Sequence, residues 1–187
     1  MRIISGKFKG KKLLEPKDKE TRPLKDLTKE SIFNIINHSN KFSIDIKKAH
    51  VLDLFSGVGS FGIECLSQGA SHVTFIEKYE EVLPILKKNL DNLKSKINYE
   101  IIDADILNKF EFKSLKSRYD VIFLDPPYKE RALEDILNKI IKNNTLKDNG
   151  IIIIHRHKKE IDIFPEDFYL IDQKKYGISK IIFGSYF

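Results

Sequence analysis

From residue 50 onward, short runs of apolar residues alternate with longer segments in which apolar residues recur every three or four positions. Each short run predicts a buried strand, and each longer segment predicts an amphipathic helix. The predicted strands lie at 51–55, 73–76, 99–102, 121–124 and 151–154. The predicted helices between them lie near 60–68, 80–95 and 131–143. Short apolar strands with crossover helices indicate a parallel sheet that is covered on both faces.

Two further extended segments, near 168–175 and 180–186, follow the fifth strand and are joined at Tyr176-Gly177. They predict a C-terminal hairpin that inserts an antiparallel strand into the sheet edge. The expected fold class is therefore α/β, with a mostly parallel sheet of seven strands.

The first 45 residues follow a different pattern. Residues 2–14 alternate loosely and are interrupted by Gly6 and Gly10, which predicts a basic β-hairpin. A helix is predicted at 27–37. Its expected apolar face consists of Leu27, Ile32, Phe33, Ile35 and Ile36. We therefore predict a small basic extension at 1–45 and an α/β domain at 46–187.

The charge of the chain is concentrated near its first residues. The net charge is +6, and residues 1–12 contain five basic residues and no acidic one. A local excess of this kind favours a polyanion as partner, although a solvated lysine-rich surface has the same composition. The candidate contacts are Arg2, Lys7, Lys9, Lys11 and Lys12.

Composition also limits the class of protein. A chain of 187 residues can form one domain with a sizeable core. The single cysteine, Cys65, excludes an intramolecular disulfide, and its helical surroundings predict a buried, unreactive thiol. The sequence has neither a signal peptide nor an apolar run of the ~20 residues that a membrane span requires. We therefore expect a soluble, cytoplasmic protein.

A glycine-rich segment follows the first predicted strand. It reads Asp53-Leu54-Phe55-Ser56-Gly57-Val58-Gly59-Ser60-Phe61-Gly62. Its glycines fit G-x-G-x-x-G, in which a tight turn lets the backbone approach a ligand at a helix N-terminus. Glu77 ends the second strand 20 residues after Gly57, where its carboxylate could accept hydrogen bonds from both hydroxyls of a ribose. Phe55, Gly57, Gly59 and Glu77 are therefore candidate cofactor contacts, and they fit NAD equally well.

Three aspartates favour S-adenosylmethionine over a dinucleotide as the cofactor. Asp53 lies inside the glycine segment, where a carboxylate could face a cationic α-amino group. Asp105 follows the third strand and could accept a hydrogen bond from the adenine amine, a role for which Asp103 is a rival. Asp125 follows the fourth strand, which should border the site together with the first.

The segment Asp125-Pro126-Pro127-Tyr128 is the most specific chemical signal in the chain. The carboxylate of Asp125 and the carbonyl of Pro126 offer two neighbouring acceptors to a planar amino group. Proline fixes its own φ and has no N–H to donate, so the segment is stiff. Tyr128 offers a ring on which a base can stack. We interpret Asp125, Pro126 and Tyr128 as the catalytic residues of an enzyme that methylates an exocyclic amine of a nucleic-acid base.

Several motifs together resemble the bacterial RsmD family of 16S ribosomal RNA guanine-N2 methyltransferases. They are Arg2-Ile3-Ile4-Ser5-Gly6-Lys7, Arg22-Pro23, Ser31-Ile32-Phe33-Asn34, the stretch from 51 to 70 with Ser67-Gln68-Gly69-Ala70 at its end, and Phe123-Leu124-Asp125-Pro126-Pro127-Tyr128. The resemblance implies a Rossmann-like class I methyltransferase that uses S-adenosylmethionine. It also implies methylation of one guanine in the small ribosomal subunit or its assembly intermediate. We expect the protein to be a monomer and Arg22 to be among the RNA contacts.

The chain departs from the family pattern in two places. The helix start after Arg22-Pro23 is usually rich in arginine, but here it reads Leu24-Lys25-Asp26-Leu27-Thr28-Lys29. The fifth strand of the family often ends in Glu, whereas here it ends in His155-Arg156-His157, so the role of that carboxylate is not assigned to His155. Two histidines without a third ligand predict a solvated strand end and no metal.

Three other functions are compatible with parts of the sequence. A DNA adenine-N6 methyltransferase would use the same acceptor pair, but it generally needs a target-recognition region for which about 50 N-terminal residues leave no room. An NAD-dependent oxidoreductase would leave the segment from Asp125 to Tyr128 unexplained. A ribosome-assembly factor that binds RNA without methylating it would not require Asp125 or Glu77.

Overall fold

A computed structural model describes residues 1–16, 24–108, 110–127 and 132–186. Over these residues seven strands form one sheet, in the order β3-β2-β1-β4-β5-β7-β6. The strands are β1 His50–Leu54, β2 His72–Glu77, β3 Tyr99–Asp103, β4 Tyr119–Leu124, β5 Leu146–His157, β6 Tyr169–Tyr176 and β7 Ser179–Ser185. The helices are α1 Asp26–His38, α2 Ser60–Gln68, α3 Leu83–Asp91 and α4 Leu133–Lys142, with a 3-10 turn at Phe112–Ser114.

The pairing of the strands confirms the predicted α/β architecture. The first five strands are parallel to one another, with β1 between β2 and β4. β7 is antiparallel to both neighbours and lies between β5 and β6, so the C-terminal hairpin does insert a strand. Helices α2, α3 and α4 connect β1 to β2, β2 to β3 and β4 to β5, and each returns the chain to the amino-terminal end of the sheet, so that the two strands it joins are parallel.

Each face of the sheet is covered by its own apolar core, because neighbouring residues of a strand point to opposite faces. Val51 of β1 packs with α1, α2 and α3 on one face, and Leu52 packs with α4 on the other. On the first face the rings of Phe61 and Phe123 stack with centroids 4.1 Å apart. Cys65 is buried in this same core, and its burial raises the pKa of the thiol well above the ordinary value, as expected for an unreactive cysteine.

The N-terminal segment folds back on itself without forming strands. A single antiparallel bridge joins Arg2 to Lys12, and the residues between them form turns in place of the predicted β-hairpin. The segment packs closely on α2: a Cβ on Gly6 would lie 2.0 Å from the carbonyl oxygen of Ser67, and Gly6 has a φ of +76°. Only glycine fits such an approach with that backbone angle.

The extension and the α/β domain share one apolar core. Ile3, Phe8 and Leu13 belong to the cluster that α1, α2 and α3 form on the first face of the sheet. The division of the chain at residue 45 stays a prediction, since no boundary between separate cores marks it within the described residues.

Helix α1 occupies the predicted place, but part of its predicted apolar face is wrong. Leu27 is 78% exposed, while Lys29 is completely buried beside Ile32 and Phe33. The periodicity of apolar residues favours Leu27 for the core and leaves Lys29 in solvent. The structure reverses the two because Glu64 of α2 lies opposite Lys29, with 3.6 Å between the ammonium nitrogen and a carboxylate oxygen.

The pair of Lys29 and Glu64 holds the N-terminal segment in place. The Lys29 ammonium donates a hydrogen bond to the carbonyl oxygen of Arg2 at 2.6 Å. The Glu64 carboxylate accepts from the backbone N–H groups of Ile4 and Ser5, each at 2.9 Å. Burial lowers the pKa of Lys29, although the charges of Glu64 and Asp26 oppose that shift. A buried ion pair of this kind is tolerated only where further hydrogen bonds satisfy its polar atoms.

Candidate active site

The carboxyl ends of β1, β2 and β4 lie side by side and bring the predicted site residues together. Leu54, the last residue of β1, is in register with Ile76 of β2 and with Leu124 of β4. The glycine-rich loop, Glu77 and Asp125 therefore leave the sheet at one edge. In open parallel sheets, ligands bind at this edge, where the strand order reverses.

The loop after β1 has the backbone of a ligand-binding turn. Phe55, Gly57 and Gly59 all have positive φ angles, of 60°, 54° and 84°. Gly59 precedes the first residue of α2, and a Cβ there would lie 2.5 Å from the Leu86 side chain. Positive φ is unfavourable for Phe55, which is not glycine, by roughly 1–2 kcal/mol. Such local strain is concentrated at binding sites.

Glu77 ties this loop to the end of β2. One of its carboxylate oxygens accepts a hydrogen bond from the Gly57 N–H at 2.7 Å. The other accepts from the N–H groups of Lys78 and Tyr79, each at 2.9 Å. The oxygen facing Gly57 can accept a further bond, because each carboxylate oxygen has about two acceptor sites. Glu77 thus lies beside the glycine loop with the acceptor capacity that a ribose hydroxyl requires.

Asp53 lies beneath the loop rather than on its surface. Its side chain is buried, and one carboxylate oxygen accepts a hydrogen bond from the Gly62 N–H in the first turn of α2 at 2.9 Å. Burial raises the pKa of Asp53 well above the ordinary value, the Gly62 hydrogen bond opposes that shift, and the charges of Asp125 and Glu77 add to it. Asp53 therefore joins β1 to α2, and its contact with a cationic amino group stays a prediction.

Asp103 and Asp105 both lie at the end of β3, as rivals for one role. Asp103 is exposed and in register with Glu77. Asp105 is half-buried and accepts hydrogen bonds from the Asn108 side chain at 2.8 Å, the Leu107 N–H at 3.0 Å and the Lys78 ammonium at 3.2 Å. The Asn108 bond is the main cause that lowers the pKa of Asp105, against the effect of burial. Asp105 stays our prediction for the adenine contact.

The segment after β4 is held on the sheet by backbone and side-chain bonds. The Asp125 N–H points to the Leu54 carbonyl oxygen at 3.4 Å. One oxygen of the Asp125 carboxylate lies 2.8 Å from Nδ1 of His155, and the side chain keeps 19% of its surface exposed. Pro126 is buried and Pro127 is exposed. Tyr128 lies outside the described residues, as does Arg22.

The predicted solvated strand end at His155-Arg156-His157 is wrong. His155 and Arg156 are buried, because β7 pairs with this end of β5. Nε of Arg156 lies 2.9 Å from one Asp162 carboxylate oxygen, and the Lys180 ammonium lies 2.6 Å from the other. The Arg156 guanidinium also donates to the carbonyl oxygen of Pro127 at 3.3 Å. This buried ion network fixes the backbone next to the acceptor pair.

Comparison with known proteins identifies the fold and the family. A family model described as "Conserved hypothetical protein 95" matches residues 1–185. Ribosomal RNA small subunit methyltransferase D, or RsmD, of Haemophilus influenzae is 36% identical over 179 residues, which are 95% of this chain and 90% of that protein. The chain belongs to the RsmD family. The protein of the same name from Buchnera aphidicola subsp. Baizongia pistaciae (strain Bp) is 38% identical, over 83% of this chain and 76% of that protein.

A solved structure agrees with the fold. The Escherichia coli protein yhhF superimposes with a TM-score of 0.81 at 28% identity, over 98% of this chain and 96% of that one. As a member of the RsmD family the chain is a methyltransferase, and the predicted enzyme class is confirmed. An NAD-dependent oxidoreductase is therefore excluded as the interpretation of the glycine-rich loop.

In this RsmD-family member, two of the predicted RNA-binding lysines contact the protein itself. The Lys11 ammonium donates to the carbonyl oxygens of Asn92 and Leu93 at 3.1 and 3.2 Å, and the Lys7 ammonium donates to the Ser95 hydroxyl at 2.7 Å. Both lysines also flank the Phe8 ring. They stabilise the C-terminal end of α3, where a positive charge complements the helix dipole.

The other basic side chains are more available. Arg2 is exposed, with its guanidinium 3.8 Å from the Asp26 carboxylate. Lys9 and Lys12 are exposed, and their ammonium groups form no ion pair or hydrogen bond with any described residue. The C-terminal half of α3 also contacts the glycine loop, since the Asn89 side chain donates a hydrogen bond to the Val58 carbonyl oxygen at 3.1 Å.

The described residues contain neither a metal-binding cluster nor a membrane-spanning helix. Within the four described ranges, no three His, Cys, Asp or Glu side chains are grouped so that they could hold a metal ion. No described helix is both long and apolar enough to cross a bilayer.

The sequence interpretation missed the residues that support the site from β5 and β7. His155, Arg156, Asp162, Ser179 and Lys180 make contacts that span up to 30 positions along the chain. The only local signal was the presence of three polar residues at the end of an apolar strand. Pairing with β7 makes those residues part of the interior, and that pairing cannot be read from β5 alone.

Proposed function

We propose that this protein transfers a methyl group from S-adenosylmethionine to the exocyclic N2 of one guanine in 16S ribosomal RNA. The substrate is the RNA in the small ribosomal subunit or in an assembly intermediate, and the enzyme acts as a monomer. The observation that carries the proposal is the position of Asp125 and Pro126 at the carboxyl end of β4, next to the glycine loop that follows β1. The RsmD relatives supply the choice of RNA.

The residues at the carboxyl edge fit S-adenosylmethionine. The positive-φ backbone at Phe55, Gly57 and Gly59 forms the turn against which the cofactor would lie. Glu77 keeps acceptor capacity for the ribose beside Gly57, and Asp105 is available for the adenine amine. A cationic amino group near Asp53 would stabilise the ionised form of a carboxyl whose burial disfavours ionisation.

The acceptor pair accounts for reaction at a poorly nucleophilic nitrogen. The lone pair of guanine N2 is delocalised into the ring. Asp125 and the Pro126 carbonyl would accept its two N–H bonds and turn the lone pair toward the methyl group. The Pro126 carbonyl forms no hydrogen bond with another described residue, so it is available for this role. The accepted bonds become stronger as positive charge develops on nitrogen, which stabilises the transition state selectively.

The cofactor, when bound, would supply a methyl group attached to a sulfonium. Its leaving group is a neutral thioether, so the transfer requires neither a metal nor a covalent enzyme intermediate. The nitrogen then loses a proton to Asp125 or to water. Tyr128 would stack on the base once it has been taken out of its helix, as enzymes that modify bases require.

Transfer of labelled methyl groups tests the proposal directly. The enzyme is incubated with labelled S-adenosylmethionine and small ribosomal subunits that lack their native methylation, and the RNA is digested to nucleosides for mass analysis. We expect N2-methylguanosine at one site. Labelled N6-methyladenosine in DNA would contradict the choice of base and nucleic acid. Cofactor binding without incorporation into subunits or naked rRNA would indicate an RNA-binding assembly factor.

The exposed lysines of the N-terminal segment can be tested through the dependence of RNA affinity on salt concentration. We propose that Arg2 and the four lysines hold RNA phosphates, with Lys9 and Lys12 free to do so without breaking a contact in the protein. Replacing Lys9 and Lys12 by alanine should make the plot of log affinity against log salt concentration less steep by roughly 1–2 units, since each lost phosphate contact removes about 0.7–0.9. RNA binding at four salt concentrations measures the slope.

A matched pair of substitutions controls for net charge. Lys116 and Lys142 are exposed and lie on or beside the elements that cover the other face of the sheet. The Lys116→Ala/Lys142→Ala variant removes the same charge and should keep the wild-type salt slope. Equal slopes for all three proteins would remove Lys9 and Lys12 from the interface.

A further inference from the structure

A hydrogen-bonded chain of three side chains connects the acceptor pair to the inserted strand. Nδ1 of His155, on β5, lies 2.8 Å from one oxygen of the Asp125 carboxylate. Nε2 of the same ring lies 2.9 Å from the hydroxyl oxygen of Ser179, the first residue of β7. His155 and Ser179 are both buried. The Asp125 carboxylate, which we propose to bind the amine of the base, is thus hydrogen-bonded to Nδ1 of His155. The other ring nitrogen of His155 is hydrogen-bonded to Ser179.

The side chains of Asp125 and Ser179 determine the direction of the two hydrogen bonds that His155 makes. An ionised carboxylate can only accept hydrogen bonds, so Nδ1 of His155 carries a proton and donates it to Asp125. Nε2 then accepts from the Ser179 hydroxyl when the ring is neutral, and donates to it when the ring is charged. The bond occupies one Asp125 oxygen, and the second oxygen forms no bond to any described residue. That second oxygen is available to the amine of a bound base.

We propose that His155 is a positioning residue for methyl transfer: it fixes the orientation of the Asp125 carboxylate, and its charge sets how strongly that carboxylate accepts from the amine. The inference rests on the proposed function, because it assigns to His155 an effect that is exerted only through Asp125. A carboxylate free to rotate would spend part of its time with neither oxygen aimed at the base, and catalysis depends strongly on such orientation.

The charged groups around His155 determine when the ring is protonated. Asp125 faces it from the end of β4, and Arg156 is its neighbour on β5. The Arg156 charge is in turn balanced by Asp162, which also pairs with Lys180 of β7. Burial by itself lowers the pKa of His155, and Arg156 lowers it further, but the charge and hydrogen bond of Asp125 outweigh both, so the net pKa is raised.

The sign of the pH dependence follows from this shift. Below its pKa the charged ring neutralises part of the Asp125 charge, which weakens the bond to the amine and slows the reaction. Above its pKa the neutral ring still positions the carboxylate but leaves its full charge available. We therefore expect kcat to rise with pH, with a midpoint above the ordinary histidine value of about 6.5. The free energy of unfolding changes in the opposite direction. The ion pair of His155 and Asp125 contributes its full stabilisation below the pKa of histidine in the unfolded chain, and this stabilisation is lost as the pH rises through the raised pKa of His155 in the folded protein.

Two amide substitutions separate the positioning role from simple packing. The amide nitrogen of asparagine lies about where Nδ1 of histidine lies, and that of glutamine about where Nε2 lies. His155→Asn should therefore keep a donor to Asp125 and retain most of the kcat found at high pH, without the rise between low and high pH. His155→Gln should leave Asp125 without its donor and lower kcat between about 10-fold and 100-fold at every pH.

The measurements are kcat and KM for methyl transfer from pH 5.5 to 9 in wild type and both variants, with cofactor Kd and Tm for each protein. Unchanged cofactor Kd with the expected split between Asn and Gln supports the inference. Equal kcat in both variants, or the wild-type pH profile in either, would overturn it while methyl transfer by the wild type stands. Absence of methyl transfer by the wild type at every pH would overturn the proposed function and this inference together.

Ser179→Ala provides a second test that disturbs packing less. The substitution removes the partner of Nε2 and leaves the bond between His155 and Asp125 in place. It should lower the midpoint of the kcat profile, since the charged ring donates a charge-assisted hydrogen bond to the Ser179 hydroxyl, which is stronger than the bond that the neutral ring accepts from it. A midpoint that is unchanged or higher in a folded Ser179→Ala protein would contradict a role for His155 protonation.

Discussion

Replacing Asp125 by alanine is expected to lower turnover by more than about 100-fold, the scale for loss of one key electrostatic group in an active site. The substitution removes the charged member of the acceptor pair and leaves His155 facing an empty position. The glycine loop and Glu77 keep their own bonds, so cofactor Kd should change little. Methyl transfer at saturating RNA and calorimetric titration of the cofactor measure the two quantities in the same protein.

Asparagine at position 125 sharpens this test. Its amide oxygen can accept from His155, but its NH2 group then faces the amine of the base, donor against donor. Asp125→Asn should therefore be nearly as inactive as Asp125→Ala despite its similar shape. Asp135→Ala, which removes an exposed carboxylate in the first turn of α4, is the control and should retain wild-type turnover. Near-normal turnover in both Asp125 variants would disprove the mechanism.

Replacing Lys29 by methionine is expected to lower the free energy of unfolding by about 3–5 kcal/mol, the usual cost of breaking a buried ion pair from one side. Methionine keeps most of the apolar stem of lysine but removes its bonds to the Arg2 carbonyl and to Glu64. The Glu64 carboxylate would then be buried without a cation, next to backbone N–H groups that cannot neutralise it. Urea denaturation followed by circular dichroism measures the change.

Leu27 on the same helix gives the matched control. Because its side chain is 78% exposed, Leu27→Ala should change stability by no more than about 0.5 kcal/mol. A Lys29→Met protein as stable as the wild type would show that the pair contributes nothing, and a large effect of Leu27→Ala would show that the face of α1 has been assigned wrongly.

The buried parallel strands were predictable because their physics is local. A strand covered on both faces must be apolar at nearly every position, and runs such as 121–124 and 151–154 show this directly. Ends of strands were predicted to within a few residues, except for β5. That strand begins at Leu146, and its register against β4 shifts between Tyr119 and Val121. An irregularity of this kind leaves no apolar run in the sequence.

Errors arose where a polar residue is buried through a distant partner. Periodicity counts a lysine as solvent-exposed, and only the three-dimensional position of Glu64 makes burial of Lys29 possible. Likewise, Asp162 and Lys180 turn Arg156 from an expected surface residue into part of a buried network. Such pairs depend on which helices and strands become neighbours, and the apolar pattern of one element does not contain that information.

The candidate site was predictable to a similar extent. The aspartates, the glycines and Glu77 could be assigned to strand ends, and parallel topology then brings them to one edge of the sheet. The contacts of Asp53 with Gly62 and of Asp125 with His155 could not be assigned, since they depend on side-chain directions. The roles of Tyr128 and Arg22 stay predictions, because both residues lie outside the described ones.

The place of β7 has a consequence for how the protein is made. Residues 179–185 are synthesised after every other strand, yet they lie between β5 and β6, in the interior of the sheet. A nascent chain that has emerged only as far as β6 cannot yet have its final sheet, and Ser179 is not yet there to hold His155. This end of the sheet, with the hydrogen bonds from Asp125 through His155 to Ser179, is therefore completed only when β7 has emerged, after the six other strands of the described sheet.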